Sequence, residues 1–172
     1  SELWSRTQEH LYLVGVSLFF SVMLSIPLGI LAAKNKRLGP PILWISGMIQ
    51  TIPSIALLVF MIPLFGIGKV PSIAALLLYS LLPIVRNTYL GIIEIPETTR
   101  CSAIGLGLSS WQILRLVELP MAAKSIFAGI KTSAVINVGT ATLGSIIGAG
   151  GLGQQILTGV RRDDLEVILS GA

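Results

Sequence analysis

Two long stretches without a formal charge limit what this chain can fold into. Leu11 to Ala33 and Leu38 to Gly68 contain no Asp, Glu, Lys or Arg. At about 1.5 Å per residue, a helix over the first of them spans a hydrocarbon core of about 30 Å. The second is longer than one crossing needs and holds Pro40, Pro41, Pro53 and Pro63. A cleaved secretory leader does not account for the first run. It is too long, and Glu2, Glu9 and His10 before it are no basic leader.

Composition narrows the class further. Charged residues make up 12% of the 172, against about 25% in an average soluble domain, and hydrophobic residues make up 53%. A disordered chain needs the opposite balance. The single cysteine, Cys101, excludes an internal disulfide framework. The net charge of +4 is not gathered into a basic patch with interleaved aromatics, so nucleic acid is not an expected partner, whereas membrane lipid is.

The pattern predicts an all-α polytopic membrane protein of one domain, residues 1–172, with about five transmembrane helices. Expected helices run over about 11–33, 41–62 with a kink at Pro53, 71–93, and 121–143. A glycine-rich outer turn is expected at 148–153. A further helix opens at about 164 and is cut short. Lys34, Lys36 and Arg37 fall between the first two helices, and Arg100 and Arg115 between the third and fourth. Positive loops favour the cytoplasmic side, which puts the N-terminus outside and the 97–118 loop inside. Arg161 and Arg162 run against that bias, offset by Asp163 and Asp164.

The one long polar segment, EIPETTRCSAIGLGLSSWQILRLVEL over 94–119, has the pattern of two short helices around a glycine turn. Thr98 or Thr99 caps the first, Gly105 and Gly107 end it, and Ser109 or Ser110 caps the second. Pro120 then opens the next crossing, where its missing N–H costs little. On residues alone the segment is either an amphipathic connector on the membrane or a docking knob for a soluble partner.

Here a known pattern is met. The segment resembles the cytoplasmic loop of permease subunits of binding-protein-dependent ABC importers: Glu-Ala-Ala, three residues, Gly, nine residues, Ile, one residue, Leu-Pro. The matching positions are Cys101, Ser102, Ala103, Gly107, Val117, Leu119 and Pro120. A cysteine stands where the family has its glutamate, and a serine replaces one alanine. The chain is most similar to glycine betaine, carnitine and choline permeases through IQTIP at 49–53, Ser54, residues 66–71, YSLLPIVRNTY at 79–89 and GTATLGSIIGAGGLG at 139–153. Methionine permeases share the loop and a glycine-rich stretch of the last type.

The resemblance implies a type I importer core in the bacterial inner membrane, with the loop acting as the coupling element. It implies two cytoplasmic ATP-binding subunits, a second permease chain (a homodimer being expected), and an extracytoplasmic substrate-binding protein or fused domain. ATP and Mg belong to the partner subunits. No cofactor or metal is expected on this chain, no catalytic residue, and no phosphate-binding Gly-x-x-x-x-Gly-Lys-Ser/Thr run occurs in it. Pro53, Ser54, Tyr79, Arg86, Asn87, Lys131 and Asn137 are candidates for the translocation path. Gly148, Gly150, Gly151 and Gly153 are candidates for an outer turn or gate. Lys131 could pair with the carboxylate of a betaine. The alternatives are an amino-acid permease, methionine first, and a channel or secondary carrier that needs no ATPase.

Overall fold

The computed structural model describes residues 2–172, and all regular secondary structure among the described residues is helical. Helix α1 (Glu2–Lys34) is followed by α2 (Gly39–Thr51), α3 (Ser54–Phe65) and α4 (Lys69–Ile93). Two short helices, α5 (Glu97–Gly105) and α6 (Ser110–Ile113), lead through a π turn into α7 (Leu119–Ala141). A 3-10 segment (Thr142–Ile147) precedes α8 (Gly153–Arg162) and α9 (Leu165–Gly171).

The core is three long helices, with α4 packed against both α1 and α7. Small residues set how closely they approach, as expected where lipid supplies no hydrophobic drive between helices. A Cβ built at Gly29 of α1 would sit 2.5 Å from Thr88 of α4. At Gly129 of α7 it would meet the Pro83 carbonyl at 2.7 Å, and at Gly91 the Ser125 side chain at 2.9 Å. On α1 the buried face reads Ser17, Ser21, Ser25, Gly29, one residue every four, with Ala32 closing it. Ser133 donates across to the Ser80 carbonyl at 2.9 Å, and Ser125 to that of Asn87 at 2.9 Å.

Long-range contacts define two ends. Lys34, Arg100 and Glu118 meet at one. Glu9 meets Gly151, His10 meets Val138, and Lys69 lies 5.9 Å from the Tyr12 ring at the other. Thus α1 and α4 run in one direction and α7 returns.

Four expectations need correction. Helix α1 starts at Glu2 rather than near 11, because Arg6 pairs with both Glu2 and Glu9 one turn away and keeps these charges compatible with helix. The expected 41–62 helix is two helices bent by 102°. Pro53 has no N–H to donate, and it forces Ile52 into extended backbone (φ −73°, ψ 128°). The freed Ile52 carbonyl accepts from the Tyr79 hydroxyl, and Gln50 Nε2 donates to the Tyr79 carbonyl at 2.9 Å. The fourth helix begins at Leu119 and gives way to 3-10 after Ala141, and the expected 148–153 turn ends in α8, which the sequence left unassigned.

The span count also differs. Helices α1 and α4 are each long and apolar enough to cross a membrane, and α2 with α3 makes a third if the bent pair is one span. Helix α7 has the length, at 23 residues, but Lys124, Lys131 and Asn137 dilute its apolar character. The molecule is an all-α, membrane-associated bundle with two to three such helices among the described residues.

Candidate functional site

The segment between α4 and α7 is built around one buried acid. Glu118 is fully buried. Arg100 Nε donates to its Oε1 at 3.0 Å, and Lys34 Nζ lies 2.5 Å from its Oε2. Arg100 also donates through Nη2 to the Ile92 carbonyl at 2.5 Å, near the C-terminus of α4, where that carbonyl also accepts from Ile95 N. Losing one partner from a buried charge costs about 3–5 kcal/mol. The further pair between Arg100 and exposed Glu97, at 3.7 Å, adds little.

On this base α5 and α6 stand away from the bundle. Helix α5 begins at Glu97 behind Pro96, with no side-chain cap, so neither Thr98 nor Thr99 serves as one. It ends at Gly105, and Gly107 takes a left-handed φ of +80° that turns the chain back. Ser109 caps α6 in a capping box: Gln112 N donates to its hydroxyl, and Gln112 Oε1 accepts from Ser109 N at 2.8 Å. Helix α6 runs on into α7. Pro120 cannot donate to the preceding turn, and the helix widens there into a π turn over Leu114–Glu118.

This handle bares large apolar side chains among polar ones. Ile104, Leu106, Trp111 and Leu116 are all largely exposed. Cys101, Ser102 and Gly107 are exposed on it too, Ala103 is buried beneath, and no atom lies within 4 Å of a Cβ placed on Gly107. Val117 and Leu119 are half-buried, and Pro120 is exposed. An apolar cluster on a segment tied by a charged base has the form of a docking knob.

The other candidates are spread over separate surfaces. Tyr79 closes on the α2–α3 break beside exposed Pro53 and half-buried Ser54. Arg86 is exposed in a cleft of about 420 Å³ between α2 and α4, lined by Leu43, Gly47, Leu82, Tyr89 and Leu90. Asn87 is half-buried, donates to the Pro83 carbonyl of its own helix at 2.8 Å, and faces α7. Asn137 is buried in the bundle, donating to Ser17 Oγ at 3.1 Å. Lys131 is exposed on α7.

At the far end Gly148, Gly150 and Gly151 take left-handed φ of 77–81°. Gly151 N donates to Glu9 Oε2 at 3.0 Å, so the first turns of α1 clasp the glycine turn. Gly153 packs without room for a side chain on the Thr142 carbonyl. Glu118, Lys34 and Glu9 are not among the site residues expected from the sequence. An acid inside the apolar LVELP run at 116–120 was the available signal for the first.

Comparison with known proteins places this architecture. Residues 25–172 match the family of binding-protein-dependent transport system inner membrane components. The chain is 43% identical to the osmoprotectant import permease protein OsmW of Salmonella typhimurium, over 99% of this chain and 81% of that one. It is likewise 43% identical to the glycine betaine/carnitine/choline transport system permease protein OpuCB of Bacillus subtilis, over 99% and 79%. A solved structure of the MetNI methionine ABC transporter, inward facing, superposes with a TM-score of 0.89 at 27% identity, over 99% of this chain and 87% of that one. The chain therefore belongs to the binding-protein-dependent inner membrane components, as a multi-pass, non-catalytic permease subunit of an ABC importer.

Proposed function

We propose that this chain forms half of the translocation path of an importer for quaternary ammonium osmoprotectants such as glycine betaine, choline and carnitine. ATP and Mg act on two separate cytoplasmic subunits that dock on α5 and α6. A binding protein or fused binding domain delivers the solute at the glycine-turn end. The observation that carries the substrate class is 43% identity, along nearly the whole chain, to permeases named for these solutes. The methionine reading has the weaker support, a shared fold at 27% identity.

In this account α7 is also a crossing. Arg86 and Lys131 stand exposed on long helices, where a charge facing hydrocarbon costs about 2.5–3.5 kcal/mol. A second permease chain supplies the protein surface or wet path that such charges need. Partner closure on ATP binding draws the two handles together, and the bundle switches between outward and inward forms by differential binding. Lys131 stands beside that path, where its ammonium holds a betaine carboxylate.

Uptake by the complete complex in proteoliposomes tests this reading. With ATP and the cognate binding protein, betaine, choline or carnitine should be taken up and methionine should not, and Lys131→Met should lower betaine uptake more than choline uptake. Methionine uptake in preference to the others would overturn the substrate assignment. Equal uptake of betaine by Lys131→Met would remove that residue from the path.

A further inference from the structure

We propose that Glu118 is a positioning residue for coupling. Its carboxylate fastens the handle to the bundle, so that movement of α5 is delivered to α1 and α4 as well as to α7. The inference rests on the proposed docking of ATP-binding subunits on that handle.

The chain itself joins α5 to its surroundings only through two turns, residues 94–96 at one end and 106–109 at the other. Both are short irregular segments that could absorb a push. The Glu118 cluster bypasses them. Arg100, one turn into α5, reaches the carboxylate from one side and the Ile92 carbonyl of α4 from the other. Lys34, the last residue of α1, reaches it from a third direction. Helices α1 and α5 thus meet at the Glu118 side chain at the head of α7, and Arg100 carries the link on to α4.

The π turn is what brings Glu118 there. Buried positions along α6 and α7 include Ile113, Glu118, Ala122 and Ile126. The first step is five residues and the next two are four. In unbroken α geometry the position in line with Ile113 would be Val117, and Glu118 would be turned about 100° away. The widened turn imposed by Pro120 rotates the acid into the bundle. Its complete burial sets it apart from a surface ion pair, which holds two side chains only loosely.

The test compares ATP hydrolysed per solute transported in proteoliposomes holding the complete complex. Wild type, Glu118→Gln and Lys34→Met are measured at equal amounts of assembled complex. Glu118→Gln preserves shape and removes the charge. Lys34→Met removes the arm to α1 alone and leaves the carboxylate its Arg100 partner, which makes it the milder of the two variants. If the clamp transmits movement, the ratio rises by about 2- to 30-fold, more in Glu118→Gln than in Lys34→Met. A purely structural role would lower the yield of complex and leave the ratio unmoved. Should Glu118→Gln not assemble, Lys34→Met decides alone: a raised ratio supports the clamp and an unchanged ratio overturns it. Wild-type uptake indifferent to ATP would overturn the proposed function. A coupled wild type with unchanged variant ratios would overturn the clamp only.

Discussion

Gly107 turns the chain at the tip of the handle with a φ of +80° and open space around its Cα. A side chain there meets no packing obstacle, so its cost is the left-handed backbone, about 1–2 kcal/mol. Gly107→Trp should therefore leave the bundle's thermal unfolding in detergent little changed. It should weaken recovery of the ATP-binding subunits on co-purification by about tenfold, which corresponds to about 1.4 kcal/mol. Undiminished recovery would show that the handle's tip lies outside the docking surface. Gly107 was legible in the sequence because the spacing from it to Leu119 and Pro120 follows a known pattern. Glu118 was not, because its meaning lies in partners from α5 and α1 that only the fold brings near. Cys101 is exposed, with no carboxylate or basic group of this chain assigned to it. Its place on the handle was readable from the motif, and its departure from the family's glutamate is not explained by any contact within the chain.

Among the elements, the pair α2 and α3 shows how far a proline rule carries. Pro53 predicts an interruption, and two tethers to α4 hold it as a 102° bend: the Tyr79 hydroxyl donates to the freed Ile52 carbonyl, and Gln50 donates to the Tyr79 carbonyl. Pro53→Ala restores the missing donor and leaves those two tethers. Combined with Tyr79→Phe it also removes the hydroxyl that satisfies the Ile52 carbonyl, a loss of about 1 kcal/mol. Spin labels at exposed positions 44 and 60 should move apart in the double variant and scarcely in Pro53→Ala alone. Unchanged distances in both would show that packing on α4 holds the bend. The long apolar helices were readable from run length, whereas their ends were not. The charged first turns of α1 are stabilised by pairs within the helix, and α8 is amphipathic rather than apolar. The serine stripe of α1 was present as a four-residue period, but serine carries no apolar signal and the stripe shows its role only against α4 and α7.

For the molecule as a whole, the decisive feature is that the two ends differ. One gathers the Lys34–Glu118–Arg100 cluster under an apolar handle, and the other is a glycine turn clasped by Glu9. Positive charge in the loops favours the cytoplasmic side for the first end, and the proposed function needs the handle to face the ATPase. The chain's single cysteine lies on that handle and is exposed, so its sidedness can be read without adding a label site. The measurement is modification of Cys101 by a membrane-impermeant maleimide in vesicles of known orientation, with and without the ATP-binding subunits. Labelling should occur only from the cytoplasmic face and should fall when those subunits are bound. Labelling from the opposite face, or labelling that ignores their presence, would contradict the account.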